Sequence, residues 1–154
     1  MKICEMVKKV RHVGIIVDDI KTSVELYKKL YDIEDGEIEI FPPFDENKAE
    51  SRFAFIPLGG QQFELIQPIS DNFKTMLGNP PAGMNHIAFT VTDIEKAVER
   101  MKEKGVRLGH VTKNGILDMK RSKVAYFNPE DTGGILIEYV EPAVKDDELA
   151  KTQG

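Results

Sequence analysis

Between residues 10 and 17 apolar and polar positions alternate. Val13, Ile15 and Val17 fall on one parity and His12, Gly14 and Ile16 on the other, the two-residue period of a strand covered on one face. The period then lengthens. Ile20, Val24, Tyr27, Leu30 and Tyr31 make the apolar stripe of an amphipathic helix, with Asp18 or Asp19 as its N-cap and its end near Asp32. Three β-rich runs follow, GEIEIF from Gly36, RFAFIPL from Arg52 and QFELIQ from Gln62, so the first half of the chain is predicted as βαβββ. A short bridging helix at 70–77 and the turn-rich stretch GNPPAGM lead to a second half in the same order. It has a strand at 85–91, a helix from Asp93 to Lys104 stopped by Gly105, and strands near 106–111, 123–128 and 135–140.

The two halves are copies. RHVGIIVDDIKTSVELYKK (11–29) returns as NHIAFTVTDIEKAVERMKE (85–103) at an offset of 74, laying His12 on His86, Asp19 on Asp93 and Val24 on Val98. GGQQFELIQP and GGILIEYVEP repeat at the same offset and lay Glu64 on Glu138. FAFI from Phe53 matches VAYF from Val124 at an offset of 71, because three residues lost before that strand are regained in the NPEDT loop. Compensating gaps in loops mark a duplicated structural unit. The expected organisation is a first βαβββ module at 1–78 with an N-terminal extension and the bridging helix, a second at 79–142, and a polar tail at 143–154. The fold class is α+β: two paired βαβββ modules forming a curved, incomplete barrel-like sheet around a metal cleft.

Composition narrows the function. A chain of 154 residues buries roughly 70% of its unfolded surface on folding, enough for a real core. Its net charge of −5 argues against a nucleic-acid surface. No apolar run approaches the roughly 20 residues of a membrane span. MKICEMVKK lacks a secretory apolar core, which makes the cytoplasm the expected location, and the single Cys4 excludes an internal disulfide framework. A small-molecule substrate is the expected partner.

Strand parity then selects the chemistry. If Val13, Ile15, Val17 and Ile87, Phe89, Val91 cover the helices, His12 and His86 point to the opposite, concave face. With Phe63, Leu65, Ile137 and Tyr139 as the helix-facing set of the later strands, Glu64 and Glu138 share that face. Two imidazoles and two carboxylates make an N2O2 set suited to Zn, Ni, Co, Mn or Fe(II) with solvent positions left open. A strand glutamate ordinarily faces water, but four such groups on one concave face are costly without a metal. Tyr126 and Asn128, on the concave parity of their strand, are candidates to hydrogen-bond substrate. Lys113, Lys120, Arg121 and Lys123 of KNGILDMKRSK are candidates for anion binding.

These motifs resemble the vicinal oxygen chelate superfamily, which includes glyoxalase I, methylmalonyl-CoA epimerases, extradiol dioxygenases and antibiotic-resistance binding proteins. The resemblance covers residues 10–142. NHIAFTVTDIEKAVERMKEKGVRL and KVAYFNPEDTGGILIEYVE are similar to the epimerase pattern, in which HHIA opens the second module and a TGG-hydrophobic-LIE strand closes it. It implies a divalent metal (Co, Ni, Zn or Mn) held by His12, Glu64, His86 and Glu138, and chemistry through an enolate or enediolate. Glu64 and Glu138, on opposite sides, would then remove and return an α-proton, giving an epimerase of a 2-branched acyl-CoA such as methylmalonyl-CoA.

Departures from the pattern keep alternatives open. Glu64 sits where some epimerases carry Gln and glyoxalase I carries Glu. Phe53 stands where one type of epimerase places a second carboxylate, and Asn128-Pro129-Glu130-Asp131 replaces a loop that commonly carries lysine. A glyoxalase I-type lyase acting on a hemithioacetal, and a binding module without turnover, are the alternatives. Extradiol oxygenation fits less well, since its sites use one carboxylate with two histidines. Exposed strand edges and the N-terminal segment make a homodimer the expected assembly.

Overall fold

The computed structural model describes residues 1–119 and 121–143, so Lys120 and the tail beyond Ala143 lie outside the described residues. Among the described residues, four α-helices and eight strands are arranged as α1 (Ile3–Met6), β1 (Val7–Ile16), α2 (Ile20–Tyr31), β2 (Glu39–Phe41), β3 (Ser51–Leu58), β4 (Gln61–Pro68), α3 (Asp71–Met76), β5 (Gly83–Val91), α4 (Ile94–Glu103), β6 (Leu117–Met119), β7 (Ser122–Tyr126) and β8 (Leu136–Pro142). The mixed α+β class follows. The chain divides into two compact units, one of residues His12–His86 and one of Met1–Arg11 with the chain from Ile87 onward.

In the first unit the strand order is β2-β3-β4-β1. Gly59 and Gly60, at φ 65° and 74°, close the β3–β4 hairpin as a two-residue turn with both central residues left-handed. That turn fixes the register in which Phe55 faces Glu64 and Phe53 faces Ile66. β1 runs parallel to β4 and sets Gly14 beside Glu64 and His12 beside Gln62. Helix α2 covers the other face, where Ile20, Val24, Ala54, Ile56 and Leu65 form the core with Ile15, Val17 and Phe63 packed on it. The predicted parity therefore holds. Asp32 ends α2 in the left-handed conformation at φ 54°.

The second unit repeats this construction with strand order β5-β8-β7-β6. Val91, Ile94, Ala97, Val98, Phe127 and Tyr139 form its core, and Met6 of α1 is buried among them at 1% exposure. A detail shared by both units ties each long helix to its last strand. The Ile20 N–H donates to Gln67 Oε1 at 2.9 Å, and the Ile94 N–H donates to Glu141 Oε1 at 3.1 Å. Donors and acceptors are both 74 apart in sequence, so the duplication preserved a side-chain partner for an otherwise orphaned amide in the first helical turn.

The strand expected at 106–111 is a correction. Only Leu108 bridges to Phe127, a 3-10 turn occupies His110–Thr112, and the pairing strand is β6, later in the chain. Local bonds outcompete the ladder. The Arg107 N–H and Nε both donate to Asp131 Oδ2 at 2.9 Å, the Asn128 N–H donates to the Arg107 carbonyl, and Thr112 Oγ1 bonds both the N–H and the carbonyl of Tyr126.

Candidate metal centre

Three residues from three different strands meet within the first unit. His12 is on β1, Glu64 on β4 and His86 near the start of β5, and one ligand atom from each lies within 4.8 Å of the others. The strand period explains why. Gly14 and Glu64 are register partners, so the face opposite α2 carries His12, Gly14 and Ile16 of β1 beside Glu64 and Ile66 of β4. His12 Nε2 and His86 Nε2 are 3.1 Å apart with their rings edge to face at 81°. Glu64 divides its carboxylate between them, Oε2 lying 3.6 Å from His12 Nε2 and Oε1 lying 3.7 Å from His86 Nε2. His12 and His86 are 8% and 3% exposed, and the Glu64 side chain 12%.

This donor set fits a divalent ion. At metal–ligand bonds of about 2.1 Å, two ligand atoms stand about 3.0 Å apart when they subtend a right angle and about 3.6 Å apart at 120°. The 3.1 Å between the imidazole nitrogens falls in that range, and so do the 3.6 and 3.7 Å from them to the two different oxygens of Glu64. Two imidazole nitrogens and a carboxylate are ligands for Zn or for Ni, Co and Mn rather than for Ca or Mg.

Two neighbours of the cluster carry no motif that points to them in the sequence. Asn85 places Oδ1 2.9 Å from His86 Nδ1. Gly14 lies directly beneath the His86 ring, so close that a Cβ there would be 2.1 Å from Cε1 and 2.6 Å from Nε2. The glycine is visible as a break in an apolar run, but the ring above it is 72 residues away in sequence. On the same face, Phe55 and Phe53 of β3 stand next to Glu64 and Ile66, and Phe53 packs edge to face on Phe73 of α3. The position of the expected second carboxylate is thus an aromatic wall. Past Ile16 and Pro68, at the end of these strands, is an open hollow of about 280 Å³ that Asp18, Lys74 and Asn79 also line.

The remaining residues singled out from sequence belong to the second unit. Glu138 is on β8, 5% exposed, and is the register partner of Tyr126, the last residue of β7. Asn128 lies beyond β7, where its Oδ1 accepts from the Glu130 N–H and caps a 3-10 turn. The described residues of the basic run, Lys113, Arg121 and Lys123, border separate hollows. Lys113 lines one surface hollow with Lys102 and Arg107, while Arg121 and Lys123 border another together with Asp118 and Glu141, and Lys123 pairs with Glu95 at 3.4 Å. Glu130 and Asp131 are both bound by Arg107, which holds the Asp131 carboxyl below the ordinary carboxylate range.

Residues 11–126 match the family model described as the glyoxalase/bleomycin resistance protein/dioxygenase superfamily, and the chain belongs to that superfamily. Within it, the chain is 29% identical over 137 residues to an ethylmalonyl-CoA/methylmalonyl-CoA epimerase from Cereibacter sphaeroides, an alignment spanning 86% of this chain and 97% of that protein. The crystal structure of methylmalonyl-CoA epimerase from Mycobacterium tuberculosis superposes with a TM-score of 0.67 at 26% identity, covering 93% of both chains. A Streptomyces coelicolor methylmalonyl-CoA epimerase variant, solved with 2-nitronate-propionyl-CoA, shares the fold at a TM-score of 0.67 and 23% identity, over 90% of this chain and 96% of that one. No helix among the described residues is long and apolar enough to cross a membrane.

Proposed function

We propose that the chain epimerises the α-carbon of a 2-branched acyl-CoA of the methylmalonyl-CoA type, with a divalent ion held by His12, Glu64, His86 and Glu138. The observation that carries this reading is the His12–Glu64–His86 cluster, whose separations suit one ion. Relatives named as epimerases supply the substrate class. When bound, such an ion supplies a Lewis acid that lowers the energy of charge developing on the thioester oxygen by several kcal/mol.

The residues do the rest. Glu138, the repeat partner of Glu64 and buried in its strand, takes the proton from C2; the C–H electron pair moves onto the thioester oxygen and an enolate forms. Glu64, entering this step as the carboxylic acid with a proton drawn from solvent and its hold on the ion loosened, gives that proton to the opposite face of C2 and regenerates the thioester with inverted configuration, while Glu138 releases the proton it took to solvent. The two roles rest on the repeat symmetry that lays one glutamate on the other. Tyr126, whose register pairing with Glu138 supports the role, hydrogen-bonds the substrate. Phe53 and Phe55 form the apolar side of the site and exclude water from the enolate.

In D2O, protein refilled with Co, Ni, Mn or Zn should interconvert (2R)- and (2S)-methylmalonyl-CoA while deuterium enters C2. Retention of hydrogen at C2 with neither epimer converted would overturn the proposal. One observation favours a second reading, a glyoxalase I-type lyase: the carboxylate of Glu64, at a position where glyoxalase I carries Glu, is itself a member of the cluster. Conversion of the methylglyoxal hemithioacetal, with methylmalonyl-CoA left untouched, selects that reading.

A further inference from the structure

His86 is flanked on two sides, by Gly14 beneath its ring and by Asn85 at its Nδ1. We propose that Gly14 and Asn85 are positioning residues for the His86 imidazole, Gly14 by leaving empty the space the ring occupies and Asn85 by accepting its Nδ1–H so that Nε2 faces a divalent ion with its lone pair free. The proposal rests on the metal reading given above and adds to it the residues that aim one ligand.

The steric half follows from the packing of β1 against the ring. A Cβ on Gly14 would lie 2.1 Å from His86 Cε1, 2.4 Å from Nδ1 and 2.6 Å from Nε2, against an ordinary contact of 3.4 Å or more. The ring would have to retreat by roughly 1 Å, and a displacement of that size is what separates a working metal or catalytic site from a loose one. At 3% exposure the ring has no open solvent to swing into. The internal repeat supplies a comparison. The partner of Gly14 is Ala88, which is fully buried on β5, so the strand framework accepts a methyl group at this point of the module. Glycine at 14 answers to the histidine above it. Its backbone is not in the left-handed region, so conformational freedom is not the reason for it.

The polar half follows from hydrogen-bond chemistry. A neutral imidazole carries its proton on one nitrogen, and an acceptor oxygen 2.9 Å from Nδ1 keeps it there. A ligating histidine almost always gives its other N–H to such an acceptor, and losing that acceptor costs about 10- to 100-fold in metal affinity. Asn85 also stands where the epimerase pattern has the first histidine of HHIA, so this chain's acceptor is a neutral amide on the residue adjoining the ligand.

The test uses the whole chain in its metal-free and Co(II)-loaded forms. Co(II) affinity, read from the visible absorption of the bound ion in competition with a chelator, should fall at least about 100-fold in Gly14→Ala and stay within about threefold in Ala88→Gly. It should fall about 10- to 100-fold in Asn85→Leu and be largely rescued in Asn85→Asp, which keeps the acceptor. In the metal-free protein, 15N spectra of the histidine side chains should show His86 protonated at Nδ1, and that signature should be lost in Asn85→Leu. Wild-type affinity in Gly14→Ala overturns the steric half, and an unchanged His86 tautomer in Asn85→Leu overturns the polar half. If the wild-type chain binds no Co(II), the metal reading fails by itself, and the tautomer measurement still decides whether Asn85 orients the ring. Should Gly14→Ala not fold, the Asn85 pair and its spectra decide.

Discussion

Glu138 and Glu64 are related by the repeat, yet their surroundings differ. Glu64 is one of three groups that converge on one point, 3.6 and 3.7 Å from two imidazoles, whereas Glu138 lies on β8 as the register partner of Tyr126. Different consequences are expected when each charge is removed. Glu64→Gln should lower the affinity for Co(II) or Zn(II) by more than the about tenfold that a change beyond the ligands produces. Glu138→Gln, compared at equal metal occupancy because Glu138 is also a proposed ligand, should lower kcat for methylmalonyl-CoA epimerisation by about 10²- to 10⁴-fold with KM little changed, the size of a lost general acid–base group. Metal content measured on the same samples separates the two. A Glu138→Gln enzyme that keeps both its metal and its rate would remove the acid–base assignment.

At the scale of the element, the ties between helix and strand invite a direct comparison. Gln67 and Glu141 each accept from the first amide of a long helix, at Ile20 and Ile94, both of which are essentially buried. Gln67→Ala should cost about 1–3 kcal/mol, the desolvation penalty of an unpaired buried N–H, and denaturant unfolding monitored by circular dichroism reads it. The same measurement on Glu141→Ala should give a loss of similar size.

Elements of this kind were legible from sequence only in part. The parity of 10–17 placed His12 opposite α2 because a slip of one residue would have put Val13 and Ile15 on the face of Glu64 and His12 under the helix, and the offset of 74 carried that assignment to His86. The segment 106–111 looked like a strand by composition, but Asp131 and Asn128, over 20 residues later, bind its backbone and side chain and hold it out of the ladder. Such partners leave no periodic trace. The same is true of Gly14, whose meaning depends on a ring contributed by β5.

For the molecule as a whole, the proposed ligand set draws on residues as far apart in sequence as His12 and His86. An ion that binds the folded chain and not the unfolded one stabilises it by RT ln(1 + [L]/Kd), about 2.7 kcal/mol at a free concentration 100 times Kd. For a chain of 154 residues that is a rise in Tm of roughly 5–10 °C. Differential scanning calorimetry with and without Zn(II) or Co(II) should show this rise, and His12→Ala should abolish it. A wild-type Tm indifferent to every divalent ion tried would leave the cluster as a structural feature alone.

The hollow under the His86 ring also bears on how the two copies can diverge. One base change in a glycine codon writes alanine, and alanine is what the other copy carries at Ala88. Mutation therefore keeps offering the first copy a residue its twin tolerates. With an imidazole in the space over Gly14, a methyl group accepted there displaces the ring and, on the function proposed above, a ligand with it. The difference between Gly14 and Ala88 is then a division of space: what one copy fills with a methyl group, the other leaves to an imidazole contributed from 72 residues away.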